Sequence, residues 1–429
     1  MTARRVAALA ACAFASRVAS ANELDTFAAG ARAEAMAGAA NATAGGFASA
    51  HHNPAGVVES DGAEAAVGYG GAFTDLRIDG RDAGVTTPRG TQLGLAIPVD
   101  LGPTRVAFGL ALYLPDQFLA RIQLIPASEP RFILLDNGLQ HLVVTPVLAV
   151  RPLRWLELGA GATLLADAAG NGVDFNVGVV GGQKVGNGAL DVSLPLRAAP
   201  VVGARIVLPW MSVGVAYRGA IDLNLHLDVL SHVDIAGAVT GDVLISLRAI
   251  DLYTPAKLSL GVALHPLPSL TIEGDLEYLR WSDFHGAIPD LKLVVNLGIS
   301  PALVQAMFPD ASFRDVIVPR LGIEWRRPLS GLLTFAARAG YAYERSPVPA
   351  QTGLTSFADN DRHVFAAGAG LSLAHVGAML DHPLSLDVAL SWQELALRTT
   401  EKDPTIFPGA AFTSDGRMVH LSTTLTVRF

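Results

Sequence analysis

Beyond residue 63 this chain repeats one pattern: stretches of about ten residues in which apolar and polar side chains alternate, the length a tilted strand needs to cross a bilayer. The last stretch is the plainest. Val419, Leu421, Thr423, Leu425, Val427 and Phe429 alternate with Met418, His420, Ser422, Thr424, Thr426 and Arg428. Leu384, Leu386, Val388, Leu390 and Trp392 alternate in the same way with Ser385, Asp387, Ala389, Ser391 and Gln393. So do Ile272, Gly274, Leu276 and Tyr278 with Thr271, Glu273, Asp275 and Glu277. A period of two belongs to strands, whose successive side chains point to opposite faces. Fourteen such segments begin near Glu64, Thr91, Arg105, His141, Leu156, Ala199, Met211, Ala256, Leu270, Pro319, Leu332, His363, Leu384 and Met418. An even number is what a single-chain bacterial barrel requires.

The connections point the same way. Short turns at Asp100–Thr104, Arg151–Trp155, Leu208–Trp210, His265–Ser269 and Arg327–Gly331 alternate with long links. The long links are Pro115–Gln140, Ala166–Ala198, Ala220–Pro255, Trp281–Val318 and Glu344–Arg362; only the turn at His375–Pro383 is long for its class. Membrane barrels alternate short periplasmic turns with long extracellular loops, and a soluble sandwich has no reason to. Composition closes off the other classes. At 51% hydrophobic and 16% charged residues the chain is not disordered. No stretch past the N-terminus supplies the roughly 18 apolar residues of a spanning helix; Val364–Leu380, the longest, is interrupted by Gly368, Gly370, Ser372, His375 and Gly377. The expected fold is all-β: a 14-stranded antiparallel transmembrane β-barrel with an N-terminal plug in its lumen.

Residues 1–21 have the form of an export signal, with Arg4 and Arg5, an apolar run from Val6 to Ser16, and the small residues Ala19-Ser20-Ala21. Leu9-Ala10-Ala11-Cys12 also reads as a lipoprotein box, but it leaves too short an apolar run before the cysteine. Cleavage after Ala21 removes the sole cysteine and shifts the formal charge from −8 to −11, since Arg4, Arg5 and Arg17 go with it. Residues 22–61, rich in Ala, Gly, Asn and Thr, suit short helices and tight turns in a confined space, so they are assigned to the plug. Residues 62–429 are assigned to the barrel. Both chain ends then share the short-turn, periplasmic side, and Phe429 falls on the lipid-facing register, where outer-membrane assembly machinery is thought to read a terminal aromatic.

An acidic chain with no basic patch is not built for nucleic acid. Catalytic signatures are missing: there is no Gly-x-Ser-x-Gly elbow, His-Glu-x-x-His or phosphate loop. Ser231-His232-Val233-Asp234 is adjacency, not triad geometry. His51-His52 lacks carboxylate companions for a metal, and reads as a polar turn. The chain is therefore expected to be no enzyme, and to use no metal and no cofactor.

Three segments resemble the outer-membrane long-chain fatty acid transport family (FadL type, with TodX-like aromatic-hydrocarbon members). The first runs from Gly30 to Ala39 and continues through Ala48-Ser49-Ala50-His51-His52-Asn53-Pro54-Ala55-Gly56, similar to the family's hatch with its Asn-Pro-Ala motif. The second is Trp281-Ser282-Asp283-Phe284 after the ninth strand. The third is Arg338-Ala339-Gly340-Tyr341 through Pro347-Val348-Pro349, followed by Asp359-Asn360-Asp361-Arg362 before the twelfth. The resemblance implies passive uptake of hydrophobic molecules, foremost long-chain fatty acids. Ligand would be caught by apolar loops, bound in the lumen, passed on by hatch movement and released sideways into the outer-membrane lipid. It also implies a kink in the third strand, for which Gly109 is the candidate. Asn53, Pro54 and Ala55 are the candidate hatch hinge, or a turn that merely ends the plug.

Apolar residues in the long links offer capture surface: Leu225, Leu227 and Leu230, and Leu303 and Phe308 in a helix-like stretch from Ala302 to Phe308. They equally suit loops that pack on one another or extend the strands. Lys257, Arg320 and Arg338 fall on the lumenal register among Glu273, Asp275, Glu277, Glu324 and Asp387. They are candidates for a ligand carboxylate, or simply members of an ion-pair network that anchors the plug. The alternative function is a general or ion-selective porin. A monomer is expected because one closed barrel pairs all its own strand edges.

Overall fold

The computed structural model describes residues 23–85, 87–116, 129–135, 141–165, 170–176, 179–180, 183–184, 186–193, 197–235, 239–284, 290–296, 302–306, 312–353, 355–374, 383–403 and 411–429. Fourteen antiparallel strands pair in chain order: β1 (Glu64–Ile78), β2 (Arg89–Leu101), β3 (Thr104–Pro115), β4 (Val143–Leu153), β5 (Leu156–Leu165), β6 (Arg197–Val207) and β7 (Met211–Arg218). They continue as β8 (Ala256–Leu267), β9 (Leu270–Arg280), β10 (Val316–Pro328), β11 (Leu333–Glu344), β12 (Arg362–Leu373), β13 (Leu384–Thr400) and β14 (Phe412–Arg428). Glu64 of β1 lies opposite Ala96 of β2 on one side and Arg428 of β14 on the other, so the sheet closes on itself. Among the described residues no helix is long and apolar enough to cross a membrane; the crossing elements are the strands.

The period-two register holds. Leu386, Val388, Leu390 and Trp392 are exposed on the outer wall, while Ala389, Ser391 and Gln393 are buried inside. Leu276 and Tyr278 face out; Glu273, Asp275 and Glu277 face in. Lysine or arginine on the lipid side would cost about 2–4 kcal/mol near mid-bilayer. That cost drives the charges into the lumen. β14 begins six residues before the alternation does, because Ser414–Arg417 pairs with Asp75–Ile78 of β1, and Phe412 and Thr413 with Thr400 and Thr399 of β13, at the long-loop end, where no apolar wall is demanded.

Three of the long links contain more structure than expected. Segments Gly170–Asn176, Gly186–Ser193, Ile221–Ile235, Val239–Thr254, Asp290–Asn296 and Ala302–Ala306 form a second, six-stranded sheet. Its two central strands are 15 and 16 residues long, and Ile221–Val229 of the first alternates apolar and polar residues as the barrel strands do. Ala302–Ala306 is thus a strand, paired with Leu291–Val295, and not helix-like. Five residues, of which only Gln305 is polar, fit either period, and the neighbouring strand decided between them.

Inside the barrel, residues 23–59 fold as α1 (Glu23–Phe27), α2 (Ala31–Glu34), α3 (Gly46–His52) and a 3-10 turn (Pro54–Glu59). Their small size lets backbone pass close to the wall: Ala31, Ala35, Ala39, Ala40, Ala42 and Ala50 are fully buried. Phe47, Val57 and Val58 pack on Ala66, Ala96, Ala107, Ala111, Val147 and Ala149 of β1 to β4.

A hatch locked into the barrel lumen

The acids of β9 hold the hatch by its backbone. Asp275 Oδ2 accepts the N–H groups of Ala40 and Asn41, both at 3.0 Å. Glu273 accepts the Ala42 N–H at 2.6 Å and the Thr43 hydroxyl. These hatch amides lie outside any helix, so without the carboxylates they would be buried donors with no acceptor. The other end of the hatch is held by Glu34, which bonds His420 at 2.6 Å and the Ser422 hydroxyl of β14.

Each of the three cations expected on the lumenal register is there, and each has acid partners. Lys257 Nζ is 2.9 Å from Asp25 of α1 and 3.5 Å from Glu277. Arg320 bonds Glu277 and Glu344 at 2.9 Å, and donates to Ala37 O at 2.9 Å. Arg338 reaches Glu324 at 2.5 Å and Asp387 at 2.6 Å. Glu324 also receives Arg32 of α2 through two hydrogen bonds of 2.9 and 3.0 Å, and Arg326 at 2.8 Å. Other anchors carried no motif in the sequence. Arg205 donates to Ala44 O and pairs with Glu59 at 2.9 Å, and Arg218 donates to His51 O. Only their lumenal parity within β6 and β7 could have flagged them.

Asn53, Pro54 and Ala55 sit where α3 gives way to the 3-10 turn. Asn53 caps that turn, its Oδ1 accepting the Ala55 N–H, while its Nδ2 donates to Asn41 O at 3.0 Å and Ala204 O at 3.3 Å. With a further bond from Nδ2 to Val215 O at 3.4 Å, the motif staples two parts of the hatch and two barrel strands, β6 and β7. Its seat is built from the absence of side chains. A Cβ on Gly159 of β5 would collide with the Pro54–Ala55 peptide, and one on Gly203 of β6 with the Asn53 amide. Gly109 belongs to the same surface, since a Cβ there would meet Val57 at 2.8 Å. The β3 ladder runs unbroken past it on both sides, to Ala96 and to Val147.

Little space remains. The gap between α1, α3 and the Lys257–Glu277–Arg320 cluster is about 20 Å³, room for about one water. A larger cavity of about 310 Å³ lies beneath the hatch, beside Arg326, Arg338, Asp387 and Arg428. At the opposite, long-loop end five aromatic rings pack together. Phe284 lies 5.2 Å from Tyr253 and 4.9 Å from Phe313, and Trp281 and Phe357 extend the cluster through Phe313. The Trp-Ser-x-Phe motif contributes two of these rings; the others come from distant segments with no local signal. Leu225, Leu227 and Leu230 lie on a strand of the second sheet opposite Ala249, Leu247 and Leu244, and Leu303 lies opposite Val294. Phe308 falls outside the described residues.

Two hatch histidines make the lock sensitive to acid. Burial holds His51 well below its ordinary range, with Arg218 adding to the effect, and pushes His52 down to about 3, with Lys257 beside it. His52 Nε2 accepts the Ala29 N–H, which requires the neutral ring. Protons bind these rings in the unfolded hatch at about pH 6.5, the ordinary histidine value, but not in the folded one. The resulting stability is complete above that pH and is lost as pH falls toward 3. Asp25 acts in the same sense lower down: burial alone would raise its pKa, but Lys257 and Arg218 outweigh it. Ion conductance in planar bilayers is expected to rise as pH drops from 7 to 5, and H51N/H52N to flatten that rise; a pH-independent wild type would contradict it.

A family model described as "Outer membrane protein transport protein (OMPP1/FadL/TodX)" matches residues 207–429. No curated protein matches by sequence. Solved structures share the fold at low identity. A Pseudomonas aeruginosa FadL homologue is 15% identical, covers 96% of this chain and 98% of its own, and superposes with a TM-score of 0.54. The CymD monoaromatic hydrocarbon channel is 15% identical over 95% and 99% of the two chains, TM-score 0.55. The Ralstonia pickettii toluene transporter TbuX is 17% identical over 95% and 100%, TM-score 0.52. With a closed barrel of fourteen strands, an occluding hatch and a family match over more than half its length, the chain belongs to the OMPP1/FadL/TodX family of outer-membrane transport proteins, channels for hydrophobic compounds and not enzymes.

Proposed function

We propose that this protein carries out passive uptake of hydrophobic molecules across the outer membrane, with long-chain fatty acids as its main substrate class. Residues 1–21 serve as the export signal, 22–61 as the hatch and 62–429 as the barrel. The barrel assembly machinery inserts it as a monomer with periplasmic termini. Ligand is captured at the long-loop end, where Leu225, Leu227, Leu230, Leu303 and Phe308 are the proposed contacts. It enters as the hatch moves about Asn53-Pro54-Ala55 and leaves sideways into lipid past β3 at Gly109. The observation that carries this reading is the obstructed lumen: the hatch is bonded across it to the wall, and the gap it leaves beside Lys257, Glu277 and Arg320 is about 20 Å³. An open, water-filled porin has no such obstruction.

A transporter needs a movable obstruction. Each buried methylene contributes about 0.8 kcal/mol, so a long acyl chain gains on the order of 10 kcal/mol in a dry pocket and would escape slowly unless the pocket is spoiled. A fatty acid carboxylate would meet Lys257, Arg320 or Arg338 by displacing Asp25, Glu277 or Asp387. Ligand entry and hatch release would then be one event. A second reading, neutral aromatic hydrocarbons, is favoured by those same pairings, because such a ligand needs no cation. Mass spectrometry of organic extracts from the purified barrel, against an unrelated porin, separates them. Enriched free fatty acids support the first class and enriched aromatics the second. An extract matching the porin, together with steady ion conductance, would leave an open pore.

A further inference from the structure

The outer wall carries a feature unconnected with the lumen. At the long-loop end, where β10 and β12 begin and β11 and β13 end, a notch of about 440 Å³ opens on the side of the barrel. Arg314, Arg345 and Arg398 line it, together with Asp315, Asp361 and Leu397. Both acids are engaged by uncharged donors. Asp315 accepts from the Tyr278 hydroxyl and the Ser282 N–H, and Asp361 from the Tyr343 hydroxyl and the Ser346 N–H. Arg398 donates to the neutral oxygens of Ser346, Asp359 and Val348. Among the described residues, the guanidinium groups of Arg314 and Arg345 make no ion pair or side-chain hydrogen bond. Three arginines thus converge without one carboxylate bonded to any of them, on a chain whose formal charge is −8. The lumenal arginines Arg320 and Arg338, by contrast, are each neutralised by two acids.

The surroundings are apolar on one side. Tyr278, Tyr341 and Phe365 are exposed on the wall, and Leu397, at the mouth of the notch, is 70% exposed. A register shift between Leu395 and Arg398 adds one residue to β13, so that Ala396 and Leu397 together oppose Asp415 of β14; Leu397 is left exposed on the wall and Arg398 lines the notch. A soluble anion would have no use for that leucine.

We infer that this notch binds the phosphate of an anionic membrane lipid in the leaflet on the long-loop side, with an acyl chain lying along the wall past Leu397. Guanidinium forks match phosphate oxygens two at a time, and arginine is weakly hydrated enough to work at a membrane boundary. Counted against the three arginines, Asp315 and Asp361 still leave the notch one net positive charge, and neither acid is bonded to one of those guanidinium groups. The site orients the barrel in its leaflet and gives the loops above it a fixed lipid neighbour.

The test is native mass spectrometry of the detergent-purified full-length chain with added lipid A, phosphatidylethanolamine or inorganic phosphate. Wild type is expected to retain lipid A. R314Q/R345Q should weaken that binding at least tenfold, and R345Q alone by a smaller factor. Both residues are exposed, so the variants should fold, which the heat-dependent gel shift of an intact barrel verifies. Phosphatidylethanolamine adducts should be unchanged. Equal lipid A binding by the double variant would overturn the inference, and so would displacement of lipid A by millimolar inorganic phosphate, which would mark a soluble-anion site. Uptake through the lumen should not change in R314Q/R345Q, so this inference and the transport reading can fail separately.

Discussion

Replacing Gly159 with valine should turn a closed barrel into a conducting one. The new side chain would be directed at the carbonyl carbon and oxygen of Pro54 and the nitrogen of Ala55. These are backbone atoms, which cannot swing aside as the tip of a side chain can. β5 cannot yield either, because Gly159 is paired with Ala149 of β4 on one side and Gly203 of β6 on the other. The hatch must therefore move. Overpacking of this kind typically costs about 1–3 kcal/mol in a core that can adjust, and the motif it displaces caps a turn and bonds three other segments. Conductance in planar bilayers is expected to rise at least tenfold over wild type, with the heat-dependent gel shift retained. Gly274→Val is the control: its Cβ would find its first neighbour, Arg320 O, at 3.9 Å, so conductance should stay closed. A folded Gly159→Val barrel as tight as wild type would mean that the Asn-Pro-Ala seat does not gate the lumen.

The second large effect belongs to Glu324. Arg32, Arg326 and Arg338 converge on this one carboxylate, which is 1% exposed. Glu324→Gln keeps the shape and removes the charge. Removing one partner of a buried ion pair costs about 3–5 kcal/mol, because the remaining charge is left uncompensated. Of the arginines, Arg32 belongs to the hatch and Arg338 to the wall, and Asp387 still holds Arg338. The loss should therefore fall on the hatch. Amides of residues 31–45 are expected to exchange with deuterated solvent at least 100-fold faster, since about 1.4 kcal/mol corresponds to a factor of ten. Strand amides of β10 and β11 should change little. The double change Glu324→Gln with Arg32→Leu should recover part of the protection, because replacing both members of a buried pair is often tolerated. Unchanged exchange in the single variant would show that the β9 acids alone hold the hatch.

These expectations rest on features of unequal visibility in the sequence. The barrel was legible because the bilayer imposes the same demand on every outward residue and thereby writes a period of two into each strand. Leu421, Leu390 and Leu276 sit on different strands, yet each is apolar for the same reason. The lumenal charges were legible by parity: Glu273, Asp275, Glu277, Arg320 and Arg338 all face inward as the alternation requires. Where the demand lapses, so does the legibility. Phe412–Arg417 continues β14 beyond the apolar wall without alternating, and its strand character appears only in its pairing with β1 and β13. Ala302–Ala306 looked helical until a neighbouring strand paired with it.

Partner choice was decided in three dimensions. From the sequence, Lys257, Arg320 and Arg338 could equally await a ligand or hold the plug; the fold surrounds each with acids from the hatch or the next strand. In the sequence the glycines of β5 and β6 are only small residues in strands. The reason for their smallness, the backbone of Asn53-Pro54-Ala55, arrives from more than 100 positions away. The notch of Arg314, Arg345 and Arg398 likewise joins the ends of strands that carry no common pattern. Periodicity is a local property that each strand records for itself against the bilayer, so the sequence alone determined the barrel, its faces and its hatch. Charge pairing and close approach depend on residues distant in the chain, so which cations are neutralised and where the hatch rests were decided only by the tertiary structure.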